Sequence, residues 1–454
     1  MRRTSVIGPL ILILLGVLLL IGNLSAEFSF LDVLAVQWPW ILVAWGVIRL
    51  GELFVWSQRP EPLFPQGLRS GEWFLVVLIC LAGSALYGGR NFSGNFPFQV
   101  NGLRMFGEPH DFSIEEQRVP VNAATRILVE NLRGEVIFSG EDIEDVRVTG
   151  RESVRALSDE DANKTWSGRK LTIEQQGDLV IVRTNQEGVA SDRRLASYLQ
   201  IRLPKKMQIE TRGRDTTYEV NHMDGNMLLA GDEGDARVNG ASGEVRIKLN
   251  KSDKIQVRDA KGLVEISSSR GDDVDLENIG GPVTIIGSFG GNMVLRGLAK
   301  PVRIEDRRLD LRAEAIPGEA VADRGHFQGK GITGPIRISS DSKDIELERF
   351  TGPLELTLER GDAEIRNEEK TVSPMTIDVR RGKVLLAIRE TDAFAIDGEA
   401  RKGEVENRTS LSFRVDSSGS GSRIQGGKEG APKITIRAER LEIEALEAAK
   451  PEEN

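Results

Sequence analysis

The chain has 454 residues, with 60 basic and 69 acidic side chains and a formal net charge of −9. Residues 1–90 hold six Arg against five acids, so the remainder carries 54 basic and 64 acidic residues, a formal −10. Because these charges are interleaved, the sequence lacks the basic stripe that DNA or RNA requires and predicts no nucleic-acid partner. The single cysteine, Cys80, lies in an apolar run, so no disulfide is expected.

The first ninety residues contain three apolar runs, which predict an α-helical membrane anchor of three spans near 6–24, 33–55 and 72–90. Four tryptophans lie near the ends of these runs, where amphipathic rings prefer the membrane interface. They are Trp38, Trp40, Trp56 and Trp73. The lipid bilayer is therefore the first predicted partner.

Basic residues set the predicted orientation. Arg2 and Arg3 precede the first span, and Arg49, Arg59 and Arg69 lie at or between the second and third. The positive-inside rule then places the N-terminus in the cytoplasm and everything after the third span outside it.

Small residues within the spans allow close helix packing. They are Gly8, Gly16, Gly46 and Gly83. Two interpretations remain open: these glycines pack the three helices of this chain against one another, or they contact a membrane partner.

Residues 91–125 are rich in Gly, Pro and Asn and predict a juxtamembrane linker. From 126 the sequence changes to short alternating runs that recur with a period. Examples are SGEVRIK from Ser242, KGLVEIS from Lys261 and GGPVTII from Gly280. Alternation indicates strands with one buried face, and a fixed period of about 19 residues indicates stacked rungs. The predicted fold of 126–446 is an all-β parallel β-solenoid, followed by a disordered tail at 447–454.

Three segments interrupt the period: RESVRALSDEDANKTW from Arg151, SDRRLASYL from Ser191 and AIPGEAVADRGHFQGKG from Ala315. The first two predict short helical or loop insertions, and the third breaks the rung spacing. KITIRAERLEIEAL from Lys433 predicts a closing strand pair that caps the solenoid.

Two resemblances follow from these motifs. ILVENLRGEVIF, LPKKMQIETRG and the repeated G-x-V-x-I rungs with GD turns resemble the bacterial "putative adhesin" β-strand-repeat domain family. IGPLILILLGVLLLIGNL and WPWILVAWGVIRL are similar to the LiaI/LiaF-like transmembrane region. The resemblance implies a bacterial cell-envelope protein in the cytoplasmic (inner) membrane, with its C-terminal domain extracytoplasmic. Neither family brings catalytic residues to this chain.

No motif predicts catalysis, a cofactor or a metal site. The three histidines, His110, His222 and His326, are far apart in sequence. Aspartates of the GD turns, such as Asp235, Asp273 and Asp362, leave structural calcium open, although the known calcium-solenoid repeat is absent. Two RGD tripeptides, at Arg270 and Arg360, are interpreted as glycine turns in one shared slot of the repeat.

The sequence therefore favours a non-catalytic envelope scaffold, or a sensor or modulator of envelope-stress signalling. Its expected partners are a membrane or envelope protein and, in one alternative, a second copy of the chain. Two other functions stay open: an adhesin-like module for a polymer or for cells, and a polysaccharide-acting enzyme on a β-helix. Such an enzyme needs a carboxylate pair and usually aromatic platforms, and beyond the anchor only Trp166, Tyr198 and Tyr218 carry large polar aromatic rings.

Overall fold

The computed structural model describes residues 99–100, 103–104, 108–121, 125–156, 158–187, 195–368, 372–403 and 405–446. The chain divides into two compact units, Met1–Met105 and Phe106–Asn454. In the first unit, β1 (Gln99–Val100) and β2 (Leu103–Arg104) pair antiparallel. The three predicted spans and the predicted tail lie outside the described residues. Within the described ranges, no helix is long and apolar enough to cross a membrane.

The described residues of the second unit form strands almost throughout and include one helix. In chain order its first half comprises β3 (Glu108–Pro120), β4 (Arg126–Glu141), β5 (Asp145–Ala156), α1 (Asp159–Ser167), β6 (Thr172–Gln176), β7 (Leu179–Arg183), β8 (Leu195–Pro204), β9 (Gln208–Met223), β10 (Met227–Glu233), β11 (Ala236–Ala241), β12 (Val245–Ala260), β13 (Val264–Ile279), β14 (Val283–Phe289), β15 (Met293–Leu298) and β16 (Val302–Asp306).

The second half begins at a hairpin. Its strands are β17 (Leu309–Ala313), β18 (Ile316–Ala322), β19 (His326–Lys330), β20 (Ile336–Ser340), β21 (Asp344–Glu348), β22 (Leu354–Leu358), β23 (Ala363–Arg366), β24 (Met375–Val379), β25 (Lys383–Ile388), β26 (Ala395–Ala400), β27 (Glu406–Arg408), β28 (Arg414–Ser418), β29 (Gly421–Gly427), β30 (Lys433–Ala438) and β31 (Arg440–Ala445).

The strands stack into two faces that enclose one apolar core. Sheet 1 has the order β6-β7-β4-β9-β10-β12-β13-β14-β16-β17-β20-β22-β24-β30-β26-β29-β28. Sheet 2 has the order β3-β5-β8-β4-β9-β11-β12-β13-β15-β18-β19-β21-β23-β25-β31-β27. The long strands β4, β9, β12 and β13 turn a corner and contribute to both sheets.

The period predicted from the sequence sets the register. Val245, Val264, Val283 and Val302 follow one another at 19-residue intervals and are direct partners in adjacent parallel strands. Each is at most 2% exposed. Because identical β-branched side chains stack in register, each rung buries its apolar row only against its neighbours. The solenoid-like architecture predicted for this region is confirmed, and the strictly parallel arrangement is corrected below.

A close approach between rungs explains the glycine that recurs before each alternating run. Gly225, Gly243, Gly262 and Gly281 form one column at the corner between sheets. A Cβ on Gly281 would lie 2.1 Å from the carbonyl oxygen of Gly262, a distance no side chain tolerates. Only glycine lets the backbones of successive rungs stack here.

One rung runs in the opposite direction. β17 is antiparallel to both β16 and β20, and β18 is antiparallel to both β15 and β19. The chain enters this inverted rung through the turn at 307–308 and leaves it through the turn at 323–325. The segment from Ala315, predicted to break the spacing, therefore begins with the second half of a reversed rung and ends in β19, which is parallel to β21. Antiparallel pairs also lie at the two ends of the stack, where β5 runs against β3 and β8, β6 against β7, and β29 against β26 and β28.

The C-terminal strands are internal rather than terminal. β30 lies between β24 and β26, and β31 lies between β25 and β27, all parallel. The outermost strand of sheet 1 at this end is β28, which pairs only with β29. The prediction that the segment from Lys433 is the closing strand pair is wrong, because the earlier strands β26 and β27 stack outside it.

The N-terminal end differs from the sequence interpretation in two places. β3 lies within the segment 91–125 predicted to be a linker, and it pairs antiparallel with β5. The insertion predicted from Ser191 contains β8, which joins β4 to β5. The insertion predicted from Arg151 is helical only at α1, whose Ser158 caps the helix by accepting a hydrogen bond from the Asp161 N–H.

Candidate functional site

Three arginines form a straight row on the outward face of sheet 1. Arg303 of β16 is the direct partner of Arg312 of β17, and Arg312 is the direct partner of Arg337 of β20. Their side chains are 52%, 49% and 59% exposed. Like charges directly opposite on adjacent strands are destabilising. The row, called the arginine row below, crosses the inverted rung.

Carboxylates compensate the two outer arginines better than the central one. Arg303 donates to Glu305, and Arg337 donates from Nε to Glu355 at 2.8 Å. Arg312 lies 3.6 Å from both Glu305 and Asp310, beyond hydrogen-bonding distance. Among the described residues, its guanidinium contacts carboxylates without hydrogen-bonding to one.

The row has defined ends. Thr284 precedes Arg303 in the same outward row, and Glu355 follows Arg337. Beside it run Glu305, Asp310, Ser339 and Thr357 in the neighbouring outward row. Residues 300–312 hold five basic and three acidic side chains, although the chain beyond residue 90 is net acidic. The row thus places three guanidinium groups on adjacent strands, with the carboxylates of Glu305, Asp310 and Glu355 beside them.

A buried lysine lies at one corner of the same region. Lys343 is 4% exposed, and its Nζ donates to the carbonyl oxygen of Asp323. Burial lowers the pKa of Lys343, while the nearby carboxylates of Asp306 and Asp323 oppose that shift. Asp323 accepts from the backbone N–H groups of Gly325 and His326, which holds its pKa below the usual range. This cluster fixes the turn that ends the inverted rung.

A second polar cluster lies under α1. Glu152 is 1% exposed; it accepts from Trp166 Nε1 at 2.7 Å and from the Ser197 hydroxyl at 3.3 Å. Burial raises the pKa of Glu152. The Trp166 ring is stacked on Phe112, with ring centroids 4.5 Å apart. Lys170 Nζ lies over the Trp166 ring, 4.7 Å from its centroid. Its contacts to protein groups leave Trp166 poorly suited as a sugar platform.

Tyr198 and Tyr218 also contact other groups of the protein. Arg151 lies over the Tyr198 ring, 4.6 Å from its centroid. Tyr218 is 1% exposed and donates its hydroxyl to the Ala230 carbonyl at 3.0 Å, and burial raises its pKa to about 12. None of the three rings named in the enzyme interpretation therefore offers an open groove.

The structure does not bring the histidines together. They lie on β3, β9 and β19, which are not neighbours in sheet 2. His110 Nδ1 contacts Asp159 at 2.9 Å, and His222 occupies a corner with a positive φ of 58°. Within the described ranges, no three His, Cys, Asp or Glu side chains are grouped as metal ligands.

The aspartates of the GD turns bind backbone instead. Asp235 Oδ1 accepts from the N–H groups of Asp253 and Lys254, one rung further on. Asp273 accepts from Asn292 N–H, Asp344 from Asp362 N–H, and Asp362 from Lys383 N–H. These carboxylates connect each corner to the next rung.

The two RGD tripeptides do not share one slot. Asp273 precedes the core residue Val274, and the core column continues through Ile345 to Ala363, which Asp362 precedes. Asp362 therefore corresponds to Asp273 rather than to Asp272, so the tripeptides are offset by one residue. Gly361 has a φ of 125°, while Gly271 lies in β13 against the Phe289 ring.

The site residues predicted in the anchor lie outside the described residues; these are Trp38, Trp40, Trp56, Trp73, Gly8, Gly16, Gly46 and Gly83. Sequence reasoning missed the arginine row. Its only local signal is that Arg303 and Arg312 flank the polar turn EDRR, which a hairpin would place side by side.

The fold and the surface define a β-solenoid domain with a charged outward face. Residues 125–440 match the family described as Toastrack DUF4097, and the chain belongs to that family. The adhesin-like resemblance is confirmed at this level. The comparison with curated proteins finds no match.

Three solved structures are similar over most of this chain. They are a "putative cell adhesion protein" from Clostridium sporogenes (10% identity, 75% of this chain and 100% of that one, TM-score 0.18), a "putative adhesin" from Bacteroides fragilis (8%, 73% and 96%, 0.20) and a "putative lipid binding protein" from Parabacteroides distasonis (10%, 75% and 98%, 0.23). TM-scores this low carry no functional argument.

Proposed function

We propose that this protein is a non-catalytic scaffold of the bacterial cell envelope. In this proposal the three sequence-predicted spans tether it to the cytoplasmic membrane, and the solenoid binds a partner outside the cytoplasm. Family membership supports the solenoid, and the positive-inside pattern of Arg2, Arg3 and the loop before the third span supports the orientation.

The observation that carries the binding role is the arginine row. Many charged side chains of the solenoid faces form ion pairs between or along rungs, as with Arg237 and Glu219 or Lys330 and Glu348. Arg312 also contacts two carboxylates, each at 3.6 Å, but both of its cross-strand partners are guanidinium groups. Repulsion between these like charges raises the free energy of the free protein, and an anionic partner would lower it on binding.

Site-specific photo-crosslinking in cells tests this role. Ser339 is exposed beside the row on sheet 1, and Gln328 is equally exposed on sheet 2. A photoreactive residue at Ser339 should capture a discrete partner that the same residue at Gln328 does not capture. Equal capture from both positions, or none from either, would contradict a role for sheet 1 in binding a protein partner.

The signalling version of the proposal concerns the anchor. Its support is the resemblance to LiaI/LiaF-like regions, together with the small residues Gly8, Gly16, Gly46 and Gly83, which permit close helix contacts. A photoreactive residue in the second span should then capture a membrane protein of a stress-response system. Crosslinks formed only within this chain, or between two copies of it, would favour the glycines as internal or homo-oligomeric packing.

An adhesin-like role is the second candidate. The observation that favours it is the same arginine row, because a polymer that lies along the stacking axis would meet one arginine on each successive strand. Surface fractionation separates the two roles: a protein exposed at the outermost cell surface would favour adhesion over the inner-membrane scaffold.

A further inference from the structure

We propose that the arginine row is a binding site for an anionic polysaccharide that carries one carboxylate or phosphate on each sugar. This inference deepens the proposed function by naming a ligand class for the same surface. It requires only that the solenoid binds a partner through sheet 1.

The direction of the row points to this ligand. Arg303, Arg312 and Arg337 are cross-strand partners, so they follow one another along the stacking axis at about 4.8 Å, the spacing of neighbouring strands. A ligand that uses all three must lie across the strands with its charges at a similar interval. A linear polysaccharide advances by a comparable distance with each sugar ring.

An acidic peptide fits the interval less well. In an extended peptide the side chains on one face are two residues apart, or about 6.6 Å. Over three charges that spacing exceeds the length of the row by several ångströms. An extended peptide would therefore place its charges against at most two of the three arginines.

Arginine suits the charged groups of such a glycan. Its planar fork binds carboxylate and phosphate in a bidentate manner, which a lysine cannot do. Ser339 lies beside the row, and Thr284 continues it, so both offer hydroxyl groups to sugar oxygens. The described face around the row holds no aromatic side chain, so neutral sugars would lack a stacking platform.

Acidic side chains limit the length of the site. Glu355 ends the row beyond Arg337, and Glu265 lies beyond Thr284 in the same outward row. A run of about three charged sugars fills the interval between these carboxylates. Longer polymers would bind through such a segment, with repulsion at both ends.

Binding assays on the full-length protein in lipid nanodiscs test the assignment. The probes are polygalacturonate, neutral dextran, poly-glutamate of matched charge, and vesicles containing anionic phospholipid. The variant R303Q/R312Q/R337Q removes the row. Its matched control, R237Q/R258Q/R296Q, removes three arginines of similar exposure from sheet 2. Thermal unfolding of both variants reports whether the fold is retained.

Polygalacturonate should bind the native protein and the control variant with equal affinity. Its affinity for the row variant should be at least about tenfold lower, because each exposed ion pair contributes up to about fivefold. Rising salt should weaken the native binding. R312K, which keeps the charge and loses the fork, should show an intermediate loss.

Three results would overturn the glycan assignment: no binding of polygalacturonate to the native protein, equal binding to the row variant, or equally tight binding of poly-glutamate or anionic vesicles. Capture of a discrete partner from Ser339 would still support the scaffold in those cases. Failure of that capture, with intact polygalacturonate binding, would instead reject the protein-scaffold role and retain the glycan site.

Discussion

At the scale of single residues, Glu152 is a buried carboxyl whose ionisation is linked to folding. Its carboxyl is buried under α1, and burial raises its pKa. Below the unfolded pKa the group is protonated in both states and folding carries no penalty. The contribution of Glu152 to the free energy of unfolding is therefore fully present at low pH. It is lost as pH rises through the folded pKa, where the buried group must ionise.

Glu152→Gln should therefore remove the contribution of this carboxyl to the pH dependence of stability around α1. The amide can accept from Trp166 through its oxygen and donate to the Ser197 hydroxyl, so the geometry of the cluster is retained. Hydrogen exchange of α1 peptides, compared at one pH at a time, checks this. At pH 8 the variant should be better protected than the native protein, and at pH 5 the two should converge. A difference that is constant with pH would show that Glu152 is not the titrating group.

Corner aspartates give a second prediction at this scale. Asp235→Ala removes the acceptor for two backbone N–H groups of the next rung and should cost about 1–2 kcal/mol. The amide of Lys254 should exchange faster in this variant. Asp235→Asn keeps an acceptor oxygen and serves as the control. Unchanged exchange at Lys254 in Asp235→Ala would mean that the contact contributes nothing to the corner.

The sequence predicts where these turns fall but not what their carboxylates do. The GD pattern marks rung boundaries, yet the donors for Asp235 lie 18 and 19 residues away. A local pattern does not encode which way a carboxylate points. The backbone partners of these carboxylates became visible only in the structure.

At the scale of elements, the internal position of β30 and β31 is the feature with the largest consequence. One outer strand depends on each of them, because β26 joins the stack through β30 and β27 joins it through β31. Removing residues 433–454 should therefore unfold 395–432 as well. Rungs before β24 should keep their protection, because each rung contacts mainly its neighbours.

Hydrogen exchange with peptide-level resolution measures this effect. A matched deletion of 447–454, which removes only residues after β31, is the control and should leave 395–432 protected. If the 433–454 deletion also leaves 395–432 protected, β26 and β27 do not require the inserted strands.

The period of 18 to 19 residues, the core rows and the break near Ala315 are all readable from the sequence. The direction of β17 and β18 is not, because alternation of apolar residues is the same in parallel and antiparallel strands. For the same reason, the segment from Lys433 reads as one more rung without revealing that it is stacked inside an earlier one. The arginine row depends on that reversed rung and so was hidden with it.

At the scale of the whole molecule, the sequence predicts a membrane anchor before the charged solenoid. The described residues of this unit bury their apolar rows in one large core and a smaller cluster beside α1. Among their large hydrophobic side chains, only Ile286 and Val415 are exposed. A surface of this kind suits an aqueous compartment on either side of a membrane. The orientation therefore rests on the arginines of the first ninety residues.

The central claim is that the solenoid works outside the cytoplasm, and cysteine accessibility tests it most directly. Cys80 is the only cysteine, so Cys80→Ser gives a cysteine-free background into which Ser339→Cys or Gln328→Cys is introduced. A membrane-impermeant maleimide should label both positions in intact spheroplasts as fully as in lysed cells. Labelling only after lysis would place the solenoid in the cytoplasm and contradict the account.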